Sequence, residues 1–342
     1  MPDFKGLLKG QPAIFCLSGS SFQALCMIEA IHAFEIADYR VLLCLSENEI
    51  PRKSQIIALL EKYHIAYEIE SVNFKITKTE RFKALLPNRN KYKVAFIGDC
   101  NNELLIFKAF RYVSDGGTLV YLDDGIATIK FFNGMYQLNN RLRQYYDLLS
   151  KIRRINFDKF FYTVYEGLYD GRHFCINNNF HFFASQQREK KSMSCIYIVG
   201  SNIKGYCAEM RISHLQFFCI LRSIIHELKS LYPQEPVVLV PHGREIMIEE
   251  LKTMCQEEKV ELRMSKISVE MMLLEEKDYP KAIYGFTSSA LYNIKKLFPD
   301  TKNYNITLGG NSPRTNGHEI TSQYYAKFGI ERKIVDLEKI NK

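Results

Sequence analysis

The chain has 342 residues, of which 46% are hydrophobic and 25% are charged, and its formal net charge is +8. This length predicts two domains of ordinary size, and the composition excludes a disordered chain. No run of about 18 uncharged apolar residues occurs, so the sequence predicts no transmembrane helix.

Strands and amphipathic helices alternate in the first part of the chain. Short apolar runs predict strands, which lie at 13–19, 40–46, 67–72, 93–99 and 117–124. Longer amphipathic runs predict helices, which lie at 20–34, 53–64 and 102–113. A strand followed by a helix, repeated several times, predicts βαβ units and a parallel sheet.

The alternation is interrupted between residues 126 and 190, where aromatic and basic side chains are frequent. The polar segment 177–192 within it is typical of an interdomain connection, and we expect domains at 1–185 and 186–342. Beyond it, strands are predicted at 194–201, 235–243, 260–265 and 281–289, with helices at 212–231, 247–258, 269–276 and 290–298. The expected fold is therefore α/β, with two Rossmann-like doubly wound domains facing across a cleft that suits a nucleotide sugar.

Basic residues cluster at 88–93, 141–161 and 187–191. The second cluster mixes Arg and Lys with aromatic and aliphatic side chains, which suits an anionic membrane surface or another anionic partner. An ordinary solvated helix face explains the same pattern equally well. Nucleic acid is a poorer candidate, because the sequence has no helix-turn-helix, zinc-finger or aromatic RNA-binding signature.

Nine cysteines, an odd number, occur mostly inside apolar runs and have no C-x-x-C spacing. This usage predicts reduced core thiols in a cytoplasmic protein and excludes a disulfide framework. The N-terminal segment also lacks the layout of a secretory signal.

Polar motifs in the second half mark predicted strand ends and helix starts. His242 follows a strand, Glu270 lies near a helix start, and Ser288 and Ser289 lie at a strand-to-helix turn. Hydroxyls and backbone N–H groups at a helix start suit a phosphate, an imidazole can donate to that phosphate, and a carboxylate can bind a ribose diol. Taken singly, Ser288 is more often a helix N-cap, the histidine structural, and the glutamate a helix-dipole residue.

Asp123 and Asp124 end the apolar run of "VYLDDGIAT". Two acids before a glycine are compatible with turn chemistry, with a general base at a sheet edge, or with a metal site. The metal site ranks below the base, because no further Asp or His lies close in sequence. The absence of G-x-x-x-x-G-K-[ST], G-x-G-x-x-G and G-x-S-x-G motifs argues against P-loop NTPases, dinucleotide oxidoreductases and α/β-hydrolases.

The order of these motifs resembles that of bacterial sialyltransferases of the glycosyltransferase-B (GT-B) type. The opening "AIFCLSGSSFQALCMIEAI" is also similar to the start of the lipooligosaccharide sialyltransferases of glycosyltransferase family 52. The resemblance covers residues 13–298 and implies that Asp123 is the general base and that His242 contacts the donor phosphate. It further implies that Glu270 binds ribose and that Ser288 and Ser289 bind phosphate.

The remaining residues of these motifs are expected to support the site. Asp124 and Gly125 would hold the turn or contact the acceptor, and Arg244 would help to hold an anionic group. The chain departs from the family at one point: Gly243 follows His242 where the family has proline, and Pro241 precedes the histidine. The backbone geometry of that loop is therefore a question for the structure.

The resemblance implies an inverting sialyltransferase that uses a CMP-activated nonulosonic acid, a glycan or glycolipid acceptor, and no metal or other cofactor. A cytoplasmic enzyme at the inner face of the membrane would meet lipid-linked acceptors. Two alternatives remain open at this stage: a glycosyltransferase with a hexose donor, and a non-catalytic protein of glycan assembly.

Overall fold

The computed structural model describes residues 4–45, 50–71, 76–86, 90–135, 140–186, 193–276, 279–309 and 316–336. The chain divides into two compact units, unit 1 (Met1–Ser185) and unit 2 (Gln186–Lys342). The basic cluster at 187–191 and residues 88–89 of the first cluster lie outside the described residues.

Unit 1 is built on a seven-stranded sheet. Its strands are β1 (Ala13–Leu17), β2 (Tyr39–Leu45), β3 (Glu68–Ser71), β4 (Val94–Ile97), β5 (Thr118–Leu122), β6 (Asn156–Thr163) and β7 (Phe174–Asn177). Its helices are α1 (Phe4–Leu8), α2 (Ser21–Ala33), α3 (Ile50–Lys62), α4 (Lys78–Leu85), α5 (Glu103–Tyr112), α6 (Ala127–Phe132), α7 (Asn140–Arg153) and α8 (His181–Ser185).

The strands of unit 1 lie in the order β3-β2-β1-β4-β5-β6-β7 and all pair in parallel. Every residue of β1 is buried, as expected for a central parallel strand covered on both faces. Ile14 and Cys16 pack in one core with residues of α5 and α7. Phe15 points to the other face, where its ring stacks on Phe96.

The irregular segment after residue 126 is more ordered than its sequence pattern predicts, because it contains α6, α7, β6, β7 and α8. The described part of the expected connection, up to Gln186, belongs largely to unit 1. Glu29 of α2 accepts hydrogen bonds from the backbone N–H groups of Phe182 and Phe183. The His32 ring stacks on Phe182 at 3.5 Å between centroids. Because of these contacts, α8 packs on α2, and this part of the expected connection is an ordered element of unit 1.

Unit 2 contains a six-stranded parallel sheet in the order β10-β9-β8-β11-β12-β13. Its strands are β8 (Met193–Val199), β9 (Val237–Val240), β10 (Glu261–Leu262), β11 (Tyr279–Gly285), β12 (Lys302–Gly309) and β13 (Ile330–Asp336). Its helices are α9 (Ile203–Met210), α10 (His214–Leu231), α11 (Ile248–Glu257), α12 (Val269–Glu275), α13 (Ser289–Leu297) and α14 (Asn316–Ala326).

The alternation of strands and helices predicted from the sequence is confirmed in both units, and most boundaries agree within a few residues. Two further strands, β12 and β13, with α14 between them, extend unit 2 beyond the last predicted helix. Among the described residues, none of the helices combines the length and apolar character that crossing a bilayer requires.

The basic cluster 141–161 does not form one solvated face, because it comprises α7 followed by the largely buried strand β6. Arg153 is only 2% exposed. Its guanidinium donates to the carbonyl oxygens of Phe110 and Val113 and to the carboxylate of Asp115. Arg153 therefore satisfies carbonyl groups at the C-terminal end of α5, which a helix end otherwise leaves without partners.

We expect the Arg153→Met variant to lower the free energy of unfolding by about 2–5 kcal/mol, because the buried carbonyl groups of Phe110 and Val113 lose their donor. Arg154→Met is the matched control, since Arg154 is exposed and a surface change of this kind alters stability by about 0.5 kcal/mol or less. Urea denaturation followed by circular dichroism measures both. Equal midpoints for the two variants would contradict the structural role of Arg153.

Candidate functional site

The first candidate site lies at the carboxyl edge of the unit 1 sheet, where the strand order reverses between β1 and β4. Ligands of open parallel sheets bind at such switch points. The segment from Ser18 follows β1, and Gly98 follows β4. The buried Gln23 of α2 lies against both: its Oε1 accepts from the Ser18 N–H at 2.8 Å. A Cβ atom on Gly98 would come within 2.6 Å of that same oxygen, so glycine permits this close approach.

The two acids after β5 have different surroundings. Asp123 is fully buried, and its carboxylate accepts from the Thr163 hydroxyl and from the Val164 N–H, both at 2.7 Å. Its side chain thus ties the end of β5 to the end of β6. Asp124 is partly exposed, and its Oδ1 accepts from Gln23 Nε2 at 2.9 Å. This arrangement favours Asp124 over Asp123 for the role of base, because a base must reach a substrate hydroxyl.

Gly125 completes the turn after these acids. Its φ is 61°, in the left-handed region that glycine adopts without steric cost. The chain enters α6 directly afterwards, where the Thr128 N–H donates to the Gly125 carbonyl at 3.4 Å. Gly125 therefore shapes the turn that follows Asp124, and its supporting role in a site stays a prediction.

A polar pocket of about 590 Å³ lies at the start of α5, the helix that follows β4. Arg81, Asp99, Asn101, Asn102 and Glu103 line it. Burial, followed by the charges of Asp99, Asp124 and Asp123, raises the pKa of the Cys100 thiol, next to Asp99 in the chain, well above its ordinary value. Side chains of this kind, carboxylates and amides beside a guanidinium, bind hydroxyl groups by hydrogen bonds. The sequence pattern did not single out this pocket.

The second candidate site lies at the carboxyl edge of the unit 2 sheet, where the strand order reverses between β8 and β11. Ser288 follows β11 and is the N-cap of α13, with its hydroxyl accepting from the Ala290 N–H at 3.3 Å. Ser288 and Ser289 are both partly exposed. The start of α13 therefore places two partly exposed hydroxyls at a helix N-terminus, where anions commonly bind, and the phosphate-binding role of these serines stays a prediction.

Thr287, directly before Ser288, has a strained backbone. Its φ is 47°, a left-handed conformation that is unusual for a β-branched residue. The buried Asn305 holds it there by accepting from the Thr287 N–H at 2.8 Å, and Ser322 in turn accepts from Asn305 Nδ2 at 2.9 Å. Strain of this kind persists where surrounding contacts determine the backbone, and it is concentrated at functional sites. Sequence reasoning missed this support, because Asn305 is distant in the chain.

Glu270 is only 4% exposed and lies in the first turn of α12. Its Oε1 accepts from Asn293 Nδ2 of α13 at 2.8 Å. Asn293 follows Ser289 by one helical turn, about 6 Å along the axis. The structure therefore brings Glu270 to the same helix whose start carries the two serines.

His242 follows β9, next to β8 in the sheet, and is partly exposed. The Arg244 N–H donates to His242 Nδ1 at 3.1 Å, so the neutral ring carries its proton on Nε2 and can donate it. The φ of Gly243 is not positive, so the conformation of this turn does not require glycine where the family has proline. The Arg244 side chain is exposed.

Glu245, which the sequence analysis did not single out, fixes this loop. Its carboxylate accepts from the N–H groups of Ile246 and Met247 and from that of Ile203 at the start of α9. The N-terminal end of α9 is thus occupied by the protein's own carboxylate. At this edge of unit 2, the start of α13 is accordingly the better place for an external anion.

Comparison with known proteins bears on the fold. No protein-family model and no curated protein matches the chain. The GT-B domain of a sialyltransferase from Photobacterium damselae has a similar structure, with a TM-score of 0.52 at 10% identity over 95% of this chain and 100% of that one. Arabidopsis thaliana UGT89C1 complexed with UDP-L-rhamnose gives a TM-score of 0.50 at 11% identity, over 98% and 89% of the two chains.

A third similar structure, from Listeria monocytogenes, is assigned as a UDP-N-acetylglucosamine 2-epimerase, and gives a TM-score of 0.50 at 10% identity over 93% of this chain and 88% of that one. These similarities, with the two parallel sheets, confirm that the chain has the expected α/β fold of the GT-B type. Within the described residues, no group of three or more His, Cys, Asp or Glu side chains could share a metal ion.

Proposed function

We propose that this chain is an inverting sialyltransferase, which transfers sialic acid or a related nonulosonic acid from a CMP-activated donor to a sugar hydroxyl. Unit 2 binds the donor, and unit 1 supplies the base and binds the acceptor. The GT-B fold supports a protein that acts on nucleotide sugars. The order of the motifs, from the two acids to the two serines, favours the CMP donor over others.

The observation that carries this proposal is the joint use of α13 by two donor-binding groups. Ser288 caps the helix and its start suits a phosphate, while Asn293 one turn later binds the buried Glu270 carboxylate. The Glu270 carboxylate of α12 therefore contacts α13 one turn after the two serines, about 6 Å further along that helix axis, and this placement suits the ribose and 5′-phosphate of a nucleotide. The strained Thr287 orients the peptide that leads into this site.

In the proposed reaction the acceptor hydroxyl attacks the anomeric carbon of the donor sugar from the side opposite the phosphate. Asp124 takes the hydroxyl proton as the new C–O bond forms and the bond to the phosphate oxygen breaks. CMP leaves with the bonding electron pair as an anion. The start of α13 and the Nε2–H of His242 stabilise this charge by hydrogen bonds, so the step uses no metal or other cofactor.

We assign Asp124 rather than Asp123 as the base, for a structural reason. Asp123 is buried and bound to Thr163 and Val164, so its carboxylate holds the sheet edge together. Asp124 is more exposed, and the Gln23 amide orients it. Gln23 is therefore a positioning residue in this proposal.

We assign the acceptor sugar to the polar pocket at the start of α5. The pocket is lined largely by residues that follow β4, the sheet neighbour of the strand β5 that Asp124 follows, and it offers carboxylate, amide and guanidinium groups to sugar hydroxyls. The acceptor belongs to a bacterial surface glycan, lipooligosaccharide or capsule, that is carried on a lipid. The proposal accordingly includes a cytoplasmic enzyme in peripheral contact with the inner face of the membrane.

The donor assignment predicts which nucleotide raises the unfolding temperature. CMP and CMP-N-acetylneuraminic acid should stabilise the protein in EDTA, by about 2.7 kcal/mol at one hundred times the Kd, because they bind only the folded state. UDP, GDP and ADP should have a much smaller effect. A thermal-shift titration over the same concentrations measures this difference.

Stabilisation by UDP or a UDP-hexose alone would contradict the CMP assignment and support the hexose-transferring alternative. Stabilisation by CMP without release of CMP from the donor, either to galactosides or to water, would support a binding protein of glycan assembly. A strict requirement for Mg²⁺ or Mn²⁺ would contradict the metal-independent mechanism.

The adjacent acids provide a matched pair of variants. Asp124→Asn should lower donor turnover, to galactosides or to water, by about 100-fold or more, because the base is lost while the Gln23 hydrogen bond can be kept. Its CMP affinity and unfolding temperature should be unchanged. Asp123→Asn should instead lose about 1–3 kcal/mol of stability, because its amide cannot accept both buried hydrogen bonds. Released CMP and thermal unfolding are measured for both.

The opposite result, with full turnover in Asp124→Asn and a stable, inactive Asp123→Asn, would return the role of base to Asp123. Turnover in a Gln23→Ala variant separates positioning from catalysis. We expect partial loss there, since Asp124 keeps its carboxylate but not its amide partner.

The acceptor pocket makes a separate prediction. Asn101→Ala should raise the KM for labelled galactosides by about 3–10-fold, the equivalent of one lost hydrogen bond, without changing donor hydrolysis in the absence of acceptor. Asn316→Ala, a change of the same kind at an exposed asparagine of unit 2, is the control. An unchanged KM across the galactoside panel in Asn101→Ala would place the acceptor elsewhere.

A further inference from the structure

Two helices of unit 1 expose large apolar side chains. On and just after α4, Phe82 and Leu86 are 65% and 51% exposed. On α7, Leu148 and Ile152 are 52% and 53% exposed. Members of each pair are four residues apart, so they share one face of their helix. Single exposed apolar residues are ordinary, but four on adjacent helices require an explanation.

The two helices pack against each other. The Tyr145 hydroxyl of α7 donates to the Arg81 carbonyl of α4 at 2.8 Å. The Arg81 guanidinium lies 5.9 Å from the centre of the Tyr145 ring. Tyr145 precedes Leu148 by three residues, so the exposed pair of α7 continues the side of the helix that meets α4. We refer to Phe82, Leu86, Leu148 and Ile152, with the exposed cations beside them, as the α4–α7 surface.

Exposed basic residues accompany the apolar ones. On α4 these are Lys78 and Lys83, and at the end of α7 they are Lys151 and Arg154. Residues 140–154 contain five basic side chains, of which only Arg153 is buried, and a single acidic one, Asp147. Exposed aromatic and aliphatic residues with cations at the same face are the pattern of a segment that lies in the polar interface of a bilayer.

The positive charge of the α4–α7 surface favours an anionic bilayer over a second copy of the chain as its binding partner. A second copy of the chain would bring two groups of positive charges together, which opposes association. An anionic bilayer neutralises the same charges, and each Lys or Arg near its surface adds about 1 kcal/mol, or about five-fold, to binding. We propose that the α4–α7 surface docks on an anionic lipid bilayer, with its four apolar side chains in the headgroup region.

This inference deepens the lipid contact of the proposed function, on which its biological use rests, by naming the surface. Arg81 connects the two sites, since it lines the polar pocket and also contacts Tyr145 of α7. A bilayer at the α4–α7 surface would therefore adjoin the pocket assigned to the acceptor. A sugar carried on a lipid would reach that pocket without leaving the membrane.

Vesicle co-sedimentation tests the surface with the full chain. Wild-type protein should bind vesicles of phosphatidylcholine and phosphatidylglycerol in equal parts, bind phosphatidylcholine vesicles weakly, and be released by NaCl. Two double variants, Phe82→Ser/Leu148→Ser and Lys83→Glu/Lys151→Glu, test the apolar and the basic residues. The affinity of each for the anionic vesicles should be lower by about ten-fold or more.

Matched controls come from unit 2. Leu215→Ser/Leu231→Ser removes two apolar residues that are 74% and 58% exposed on α10, and Lys204→Glu reverses an exposed charge. These variants should bind anionic vesicles as the wild type does. Unfolding temperatures should be unchanged throughout, because every altered side chain is exposed.

Wild-type protein that ignores anionic vesicles, or surface variants that bind as well as the controls, would overturn the proposal. A concentration-dependent dimer that the Phe82→Ser/Leu148→Ser variant abolishes, without vesicle binding, would do so in favour of a second copy. CMP-dependent stabilisation of each variant is measured in parallel. Surface variants that lose vesicle binding but keep the CMP shift support the surface, whereas loss of the CMP shift in all chains contradicts only the donor assignment.

Discussion

Parallel strand pairing is the constraint on which both candidate sites depend. Every strand in the two sheets runs parallel to its neighbours, so each sheet collects the segments that follow its strands at one edge. In unit 1 this edge gathers Ser18, Gly98 and the two acids, although they are far apart in the chain. In unit 2 it gathers His242 and Ser288. The chemistry available at each edge then depends on how each turn leaves its strand.

Side chains that accept backbone hydrogen bonds, two of them buried, determine the shape of these turns. Asp123 accepts from the Val164 N–H, and Glu245 accepts from the Ile203 N–H and from N–H groups of its own loop. Asn305 accepts from the N–H of Thr287, whose backbone is strained. A buried polar group must be paired, so Asp123 and Asn305 stay next to the backbone N–H groups that they bind. Asp124, His242 and Ser288 are partly exposed and lie in or next to these turns. Their positions therefore depend on turns whose shape the hydrogen bonds of Asp123, Glu245 and Asn305 determine.

The sequence predicts the strand-helix alternation well, because buried parallel strands appear as continuous apolar runs. The sequence does not show which of the two acids, Asp123 or Asp124, is buried and which is partly exposed. Successive side chains at a strand end point in opposite directions, so one residue decides which acid enters the sheet and which faces outward. The partners that make the difference, Thr163 and Gln23, lie in other elements and leave no local signal. The helices and strands after residue 126 were missed for a related reason, since their many aromatic residues obscure the polar-apolar period.

Helix α7 contributes both to the stability of unit 1 and to the α4–α7 surface, and it also contacts the helix whose start lines the polar pocket. Its buried side carries Arg153, which satisfies the carbonyls at the end of α5, while the first residues of α5 line the polar pocket. Its exposed side carries Leu148 and Ile152 next to α4. The basic residues of this segment therefore have two roles, according to the side of the helix on which they lie. The buried guanidinium of Arg153 is structural, whereas the exposed Lys151 and Arg154 can contact an anionic surface. Counting basic residues along the sequence cannot make this distinction, because burial depends on which face of the helix packs against the sheet.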